Sequence, residues 1–338
     1  MSSSRPGIAV LLPCLDEEVA IAGVVSAFRR ALPEAQVYVY DNGSADATAE
    51  RAANAGAVVR SEALPGKGNV VRRMFADVEA DVYVLADGDG TYDAAATPAM
   101  VDRLVAENLD MVVGVRVEAE GQDAYRRGHR MGNALLSWLV RRMFGAVFTD
   151  ISSGYRVMSR RFVKSFPALS RRFEIEPELS AHSANLRLPC AEMPTRYVER
   201  PEGGKSKLRT LRDGRRALLT IGLLVKEFHP FRFFTAAAVV LGLVAVVLAV
   251  PIVLTFLETG LVPRLPTAVL CATLGLASLG SFLSGVVLDS VSRGRQEQKR
   301  MAYLRYPSVQ EAGQNTGTYD AGDRAPRRGR FGGPHPQF

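Results

Sequence analysis

The sequence is poor in the residues and signals that mark disulfide-rich, zinc-stabilised or exported proteins. Its three cysteines, Cys14, Cys190 and Cys271, are odd in number and far apart, and no CxxC pair occurs. Neither a disulfide framework nor a structural zinc site is therefore indicated. The first apolar run ends at Pro13 without a small-residue cleavage site, so we expect no signal peptide and a cytoplasmic N-terminal domain. No internal repeat is visible.

The composition points to a soluble part joined to a membrane part. Of the 338 residues, 47% are apolar and 23% are charged, and the mean hydropathy of +0.04 is high for a soluble enzyme. The net charge is +7, and lysine and arginine gather near the apolar C-terminal segments. A basic surface beside apolar runs favours anionic lipid or phosphorylated substrates as partners over nucleic acid.

Residues 7–114 alternate between strand-like and helix-like patterns. Such alternation predicts βαβ units, a parallel sheet and an α/β fold. The predicted strands are Ile8–Leu12, Val37–Tyr40, Ala57–Arg60, Val82–Ala86 and Met111–Gly114, and the predicted helices are Glu17–Leu32, Ala45–Ala55, Gly68–Val78 and Ala94–Glu107.

The stretch Val82–Asp93 begins as a buried strand and then breaks into aspartate and glycine. Asp87 and Asp89 thus fall at the carboxyl end of a strand, where open α/β sheets bind ligands. Two carboxylates there suit Mg²⁺ or Mn²⁺ bridging a substrate diphosphate, and Gly88 between them would allow a ligand to approach closely. An ordinary polar turn is the alternative for this pattern taken alone.

Two further strand ends carry polar residues. Asp41 leaves the second strand and could hold a nucleotide base or ribose, although part of that segment is ordinary turn chemistry. Lys67 lies between two glycines at a helix opening, which is a natural anion site. The Walker spacing is missing there, so a P-loop is excluded.

Four motifs in this order, PCLDEE at 13–18, DNGSADAT at 41–48, GKGN at 66–69 and DGDGTYD at 87–93, resemble those of family 2 glycosyltransferases. The resemblance is strongest to the polyprenyl-phosphate glycosyltransferases, such as the dolichol-phosphate mannose synthases. It extends through Thr149–Arg156 and Arg200–Lys207, and so covers about the first two thirds of the chain. It implies a GT-A fold, which is a Rossmann-like α/β domain. Asp16 departs from the family, which commonly has Asn, and could alter contacts with the nucleotide.

The resemblance also implies site residues. Asp87 and Asp89 are expected to bind Mg²⁺ or Mn²⁺ with the donor diphosphate, and Arg116 to lie near the donor or acceptor phosphates. The expected donor-binding residues are Pro13, Leu15, Glu17, Asp41, Lys67, Asp87, Gly88 and Asp89. The expected ligands of the acceptor phosphate are Arg127, Arg130, Arg200, Ser206 and Lys207, whereas His129 is expected to be structural.

Two amphipathic segments precede the apolar runs. Residues 133–144 have an apolar face bordered by Trp138 and two arginines, and this pattern fits a core helix and an interfacial helix equally. In residues 205–216 the basic side chains fall on one helical face beside leucines, which favours a helix lying on an anionic leaflet.

Two uncharged runs, Phe233–Leu257 and Leu265–Leu288, are each long enough to span the ~30 Å hydrocarbon core. Basic residues crowd their outer ends, so the positive-inside bias predicts a two-span hairpin with both termini cytoplasmic. The predicted division is a catalytic domain at 1–204, a basic juxtamembrane helix at 205–231, spans within 232–290 and a disordered cytoplasmic tail at 291–338.

Together these features predict an inverting, metal-dependent transfer of one sugar from a UDP- or GDP-sugar to a dolichyl or undecaprenyl phosphate. A phosphate monoester is largely dianionic at neutral pH, with a second pKa of about 6. The acceptor therefore needs cationic positioning more than a general base. A processive polysaccharide synthase and a non-enzymatic membrane scaffold are the alternatives, and the sequence lacks the synthases' Gln-x-x-Arg-Trp motif. A homo-oligomer is possible. The sugar, the nucleotide and the lipid carrier are not determined.

Overall fold

The computed structural model of the protein describes residues 6–118, 148–170, 175–198, 226, 230–262 and 264–311. The strands are β1 Ile8–Cys14, β2 Gln36–Asp41, β3 Val58–Ser61, β4 Val82–Leu85, β5 Met111–Glu118, β6 Arg156–Ser159 and β7 Cys190–Tyr197. The helices are α1 Ile21–Ala31, α2 Thr48–Asn54, α3 Lys67–Asp77, α4 Thr97–Ala106 (after a 3₁₀ turn at Ala94–Ala96), α5 Arg160–Ser165, α6 Ile175–Leu186, α7 Pro230–Thr259 and α8 Leu265–Tyr303.

The strands form one mixed sheet in the order β3-β2-β1-β4-β6-β5-β7. Strands β1 to β4 pair in parallel, and their registers put the carboxyl ends of β1, β2 and β4 at one edge. Strand β6 runs antiparallel to both β4 and β5. The α/β class is therefore confirmed, with strand boundaries within a few residues of those predicted.

Alternate residues of the central strands supply two separate apolar cores. Leu11, Tyr83 and Leu85 face a cluster built with α3, α5 and α6. Val10 and Val84 face a second cluster built with α1 and α4. A sheet covered on both faces is buried throughout, which explains why β4 is fully apolar.

Helices α7 and α8 form a closely packed antiparallel hairpin. Ser278 Oγ donates to the Ala238 carbonyl at 2.7 Å, and Ser281 Oγ donates to the Phe234 carbonyl at 3.0 Å. A Cβ added at Gly285 would lie 3.0 Å from Cβ of Phe234, so the glycine allows close contact. The outer faces are exposed, as Leu257 at 74% and Leu276 at 71% show. Both helices are long and apolar enough to cross a membrane, and little of either is buried within the protein.

The end of α8 differs from the sequence prediction. Disorder was expected from residue 291, but α8 continues to Tyr303 and the described chain runs on to Glu311. The segment after the span is rich in Gln, Glu, Lys and Arg, which favour helix, and its end packs against the catalytic domain. The expectation of disorder is therefore wrong for residues 291–311. Residues 312–338 and both amphipathic segments, 133–144 and 205–216, lie outside the described residues.

Candidate active site

The candidate site lies at the edge of the sheet where the carboxyl ends of β1, β2 and β4 meet. Cys14 ends β1 beside Asp41, and Asp87 and Asp89 follow β4. Cys14 is buried, and burial raises the pKa of its thiol. The charges of Glu17, Asp87, Asp41 and Asp89 raise that pKa further, in this order. The four carboxylates that the sequence assigned to the donor site are therefore all close enough to Cys14 to affect its pKa.

A buried lysine lies between two carboxylates of the site, one of which comes from α6. Lys67, the first residue of α3, forms ion pairs with Asp87 and with Glu176, the latter at 2.5 Å. The Lys67 and Glu176 side chains are 9% and 7% exposed, whereas Asp87 is 29% exposed. Burial lowers the pKa of Lys67, but the charges of Asp87 and Glu176 outweigh it and hold the pKa above its usual value. Lys67 is therefore a fixed cation against the first aspartate of the motif.

The second aspartate is held by the turn that follows it. Asp89 Oδ1 accepts hydrogen bonds from the Thr91 amide at 3.1 Å and the Thr91 hydroxyl at 2.7 Å. The next residue, Tyr92, bridges to Tyr197 at the end of β7. These contacts fix the backbone of the motif, so Asp89 is nearly fully buried at 4% exposure.

A third group of charges comes from β5 and the loop before β6. Arg116 donates from Nε to Asp150 Oδ2 at 2.7 Å and from Nη2 to Asp150 Oδ1 at 2.8 Å. The ring of Tyr197 lies 5.6 Å from the guanidinium carbon, which is within cation–π range. A bidentate pair flanked by an aromatic ring sets the orientation of Arg116.

Two glycines are fixed by close packing around the acidic residues. A Cβ added at Gly154 would lie 3.0 Å from both Asp87 Oδ2 and Lys67 Nζ. The Gly154 amide donates to Tyr92 Oη at 2.9 Å, and burial raises the pKa of Tyr92 well above its usual value. A Cβ at Gly88 would overlap Sγ of Cys14. Close packing against Cys14 therefore requires glycine at position 88.

The loops after β1 and β2 hold each other. Asp41 accepts from the amides of Gly43 and Ser44 at 3.2 and 3.1 Å, which is an Asx turn. Asp16 has φ of 52° and accepts from the Ala45 amide at 2.9 Å. Asp and Asn are the side chains that best tolerate this left-handed conformation. Asp16 thus meets the backbone requirement that the family's Asn would meet, and its contact is with the neighbouring loop.

The structure brings together most of the residues that the sequence singled out. Glu17, Asp41, Lys67, Asp87, Gly88, Asp89 and Arg116 lie along this edge, with Pro13 and Leu15 at the end of β1 and just beyond. Arg127, Arg130, Arg200, Ser206 and Lys207 lie outside the described residues. Sequence reasoning did not single out Tyr92 or Tyr197. The sequence also does not distinguish Glu176 from its neighbours Glu174 and Glu178.

The carboxylates of Asp87 and Asp89 suit a hard cation whose remaining ligands come from a bound substrate. Among the residues that the structure describes, no group of three or more His, Cys, Asp or Glu side chains is placed to hold a metal by itself. Mg²⁺ is typically held by one or two carboxylates plus substrate phosphate oxygens. Asp87 and Asp89 fit that pattern, with the remaining ligands left to a diphosphate.

Comparison with known proteins agrees with this geometry. Residues 9–166 match the family described as Glycosyl transferase family 2. Protein RfbJ of Shigella flexneri is 54% identical over 36% of this chain and 95% of its own length. Glycosyltransferase AglJ of Haloferax volcanii is 34% identical over 67% of this chain and 75% of its own. The Dolichyl-phosphate hexose transferase of the same organism is 29% identical over 60% and 86%.

The fold also matches solved structures. Glucosyl-3-phosphoglycerate synthase from Mycobacterium tuberculosis, in complex with Mn²⁺ and UDP-glucose, superposes with a TM-score of 0.53 at 24% identity. The match covers 65% of this chain and 78% of that one. At this identity the likeness establishes the fold.

Proposed function

The chain belongs to glycosyltransferase family 2, and we propose that it moves one sugar from a nucleotide-diphospho-sugar to the phosphate of a membrane polyprenol. That it is a glycosyltransferase with a nucleotide-sugar donor follows from the family and its relatives. The acceptor is the new element of the proposal. The observation that carries it is the pair of exposed apolar helices attached to the same domain. The similarity to a Dolichyl-phosphate hexose transferase supports it.

The donor diphosphate would bind where Lys67, Asp87 and Asp89 meet. The solved relative binds Mn²⁺ with UDP-glucose, and Asp87 and Asp89 would hold such a cation here. A bound Mg²⁺ or Mn²⁺ would neutralise charge on the departing nucleotide diphosphate. Lys67 keeps a positive charge beside Asp87, and Glu176 on its other side fixes where that charge lies. Asp41 at the end of β2 and Glu17 in the loop after β1 would border the nucleotide.

The acceptor phosphate would be oriented by arginine. Asp150 and Tyr197 hold Arg116 in one orientation before any substrate binds. The arginine side chain therefore loses little conformational entropy when it binds an anion. Arg127, Arg130, Arg200, Ser206 and Lys207 would complete the acceptor site. The dianionic phosphate needs no strong base, and in-line attack would invert the anomeric centre.

The hairpin would keep this site close to its lipid substrate. We propose that both ends of the hairpin face the cytoplasm, because Arg232, in the first turn of α7, precedes the first apolar run. On the other side, Arg293, Arg295, Lys299 and Arg300 follow the second apolar run. The catalytic domain would then lie on the cytoplasmic side.

The test is transfer by the purified full-length protein in lipid vesicles. UDP- and GDP-sugars are supplied with Mg²⁺ or Mn²⁺ and a polyprenyl phosphate, and lipid products are identified by mass spectrometry. A lipid carrying one sugar supports the proposal. A growing polymer would favour a processive synthase, and no lipid product with any donor would overturn the choice of acceptor.

A paired substitution locates the chemistry. Asp89→Ala should abolish transfer while the protein stays in the membrane, because a proposed metal ligand is lost. Asp93→Ala is the control, since Asp93 belongs to the same motif but caps the 3₁₀ turn through the Ala95 amide. Equal activity of the Asp89 variant and the wild type would remove Asp89 from the metal site.

A further inference from the structure

The second membrane helix does not end at the membrane boundary. Helix α8 is continuous from Leu265 to Tyr303, although its uncharged run stops at Leu288. At 1.5 Å per residue, the part beyond Leu288 extends the helix by about 22 Å. The chain then turns, and its described part continues to Glu311. We name Asp289–Glu311 the strut.

The strut contacts the ends of two catalytic-domain helices. Gln296 Nε2 donates to the Asn185 carbonyl at 2.6 Å, and Arg300 Nη1 donates to the Leu186 carbonyl at 3.4 Å. These are the last carbonyls of α6. Gln310 Nε2 donates to the Val105 carbonyl, in the last turn of α4, at 2.9 Å. Carbonyls in the last turn of a helix have no partner within the helix, so the strut gives the last two carbonyls of α6 a hydrogen-bond donor. The Val105 carbonyl also accepts from the Asn108 amide at 3.3 Å, and the strut adds a second donor there.

Tyr303 fastens the strut at a buried carboxylate. Its hydroxyl donates to Asp110 Oδ2 at 2.9 Å, and Asp110 is fully buried. The same carboxylate accepts from Ser159 Oγ at 2.7 Å and from Arg161. The guanidinium carbon of Arg161 also lies 4.9 Å from the centre of the Tyr303 ring. Farther along, Val309 is 4% exposed and belongs to the apolar core of the catalytic domain.

The elements that receive the strut also carry site residues. Helix α6 begins next to Glu176, the partner of Lys67, and ends at the carbonyls bound by the strut. Asp110 immediately precedes β5, whose Arg116 lies in the site. A rigid helix therefore connects the membrane to two elements of the active site.

We propose that the strut fixes the height and tilt of the catalytic domain above the bilayer, and that Tyr303 is a positioning residue for the membrane-bound acceptor. The proposal rests on the proposed function in one respect, that the acceptor is a lipid. It adds that the contacts of α8 with the catalytic domain determine how the active site is oriented relative to the membrane.

Gly294 offers a matched pair of variants. It lies between the membrane and the docking residues, and a Cβ added there meets no atom within 4 Å. Gly294→Pro breaks a helix hydrogen bond and kinks the strut, while leaving every docking side chain unsubstituted. Gly294→Ala is accommodated and favours helix.

Both variants are compared with wild type on two acceptors, a long-chain polyprenyl phosphate in vesicles and geranyl phosphate in solution. Gly294→Pro should lower transfer to the vesicle acceptor by about ten-fold or more, because small misplacements reduce productive encounters strongly. Transfer to geranyl phosphate should stay within about two-fold, and Gly294→Ala should match wild type on both. Equal loss on both acceptors, or no loss on either, would overturn the proposal.

The fastening point is tested separately. Tyr303→Ala should show the same selective loss for the vesicle acceptor, and Leu304→Ala, whose side chain is 64% exposed, should not. A Tyr303 variant that behaves like the Leu304 variant would remove the positioning role.

A structural measurement makes the inference independent of the acceptor. Energy transfer is measured from a dye on Ala53→Cys, at an exposed position of α2, to acceptor dyes in the bilayer, with Cys190 and Cys271 replaced by alanine. Gly294→Pro should shift or broaden the donor-to-bilayer distance, and Gly294→Ala should preserve it. An unchanged distance in the proline variant would refute the proposed role of the strut, even if the wild type transfers sugar. Conversely, absence of lipid product from wild type, with the distance shift present, would count against the proposed acceptor alone.

Discussion

Replacing Lys67 by methionine removes a cation that pairs with both Asp87 and Glu176 while keeping an unbranched chain of similar length. Removing one partner of a buried ion pair typically costs about 3–5 kcal/mol. Asp87 is 29% exposed and can be partly solvated, so most of the loss falls on Glu176, which is 7% exposed. We therefore expect Lys67→Met to cost about 3 kcal/mol.

The double variant Lys67→Met/Glu176→Leu isolates the cause of that loss. It removes both of the more deeply buried charges and leaves Asp87, which reaches solvent. Replacing a whole buried pair by apolar groups is often close to neutral. The double variant should thus recover most of the stability that the single variant loses, about 2 of the 3 kcal/mol.

Thermal unfolding of the full-length protein in detergent provides the assay. For a domain of this size, 1 kcal/mol corresponds to about 2–4 °C, so the single variant should unfold about 6–12 °C lower. The control is Arg73→Met, whose own side chain is 58% exposed and whose partner Asp77 keeps its ion pair with Arg60, and it should shift the midpoint by no more than about 2 °C. A single variant no less stable than this control, or a double variant as unstable as the single one, would refute the reasoning.

The pH at which unfolding should be measured follows from the shifted pKa of Lys67. Its folded-state pKa is raised above its usual value by Asp87 and Glu176, against the opposing effect of burial. A raised pKa contributes stability that is complete below the unfolded pKa and is lost as pH rises through the folded one. Near neutral pH the ion pairs are therefore at full strength, and the comparison between variants is clean.

Two further substitutions test the packing of the site. Gly88→Ala should cost about 1–3 kcal/mol by overpacking against Sγ of Cys14, and Cys14→Ala/Gly88→Ala should recover much of it; a thermal midpoint equal to wild type for the single variant would contradict the contact. Arg116→Lys should raise the KM for the acceptor, because a lysine cannot keep the bidentate pair with Asp150, whereas unchanged acceptor kinetics would place Arg116 outside the acceptor site.

The sequence by itself predicted the α/β class, the first five strands and the acidic strand end. It could do so because these are local signals: a fully apolar strand reads as buried, and Asp and Gly directly after it mark the edge where parallel strands end. The two apolar runs were equally local, since length and absence of charge identify a helix that can span a membrane.

The tertiary structure decided how distant residues meet. The ion pair of Lys67 with Glu176 joins residues 109 positions apart, and the contact of Tyr303 with Asp110 joins residues 193 apart. Hydrophobic periodicity indicates which face of an element is buried. It does not indicate which polar side chain on another element will neutralise a charge buried on that face. That choice is made by sheet order and helix packing, because a buried charge is tolerated only where the fold delivers its partner. For this reason residues 291–311 were predicted from the sequence to be disordered, whereas in the folded protein they form an ordered segment that packs against the catalytic domain.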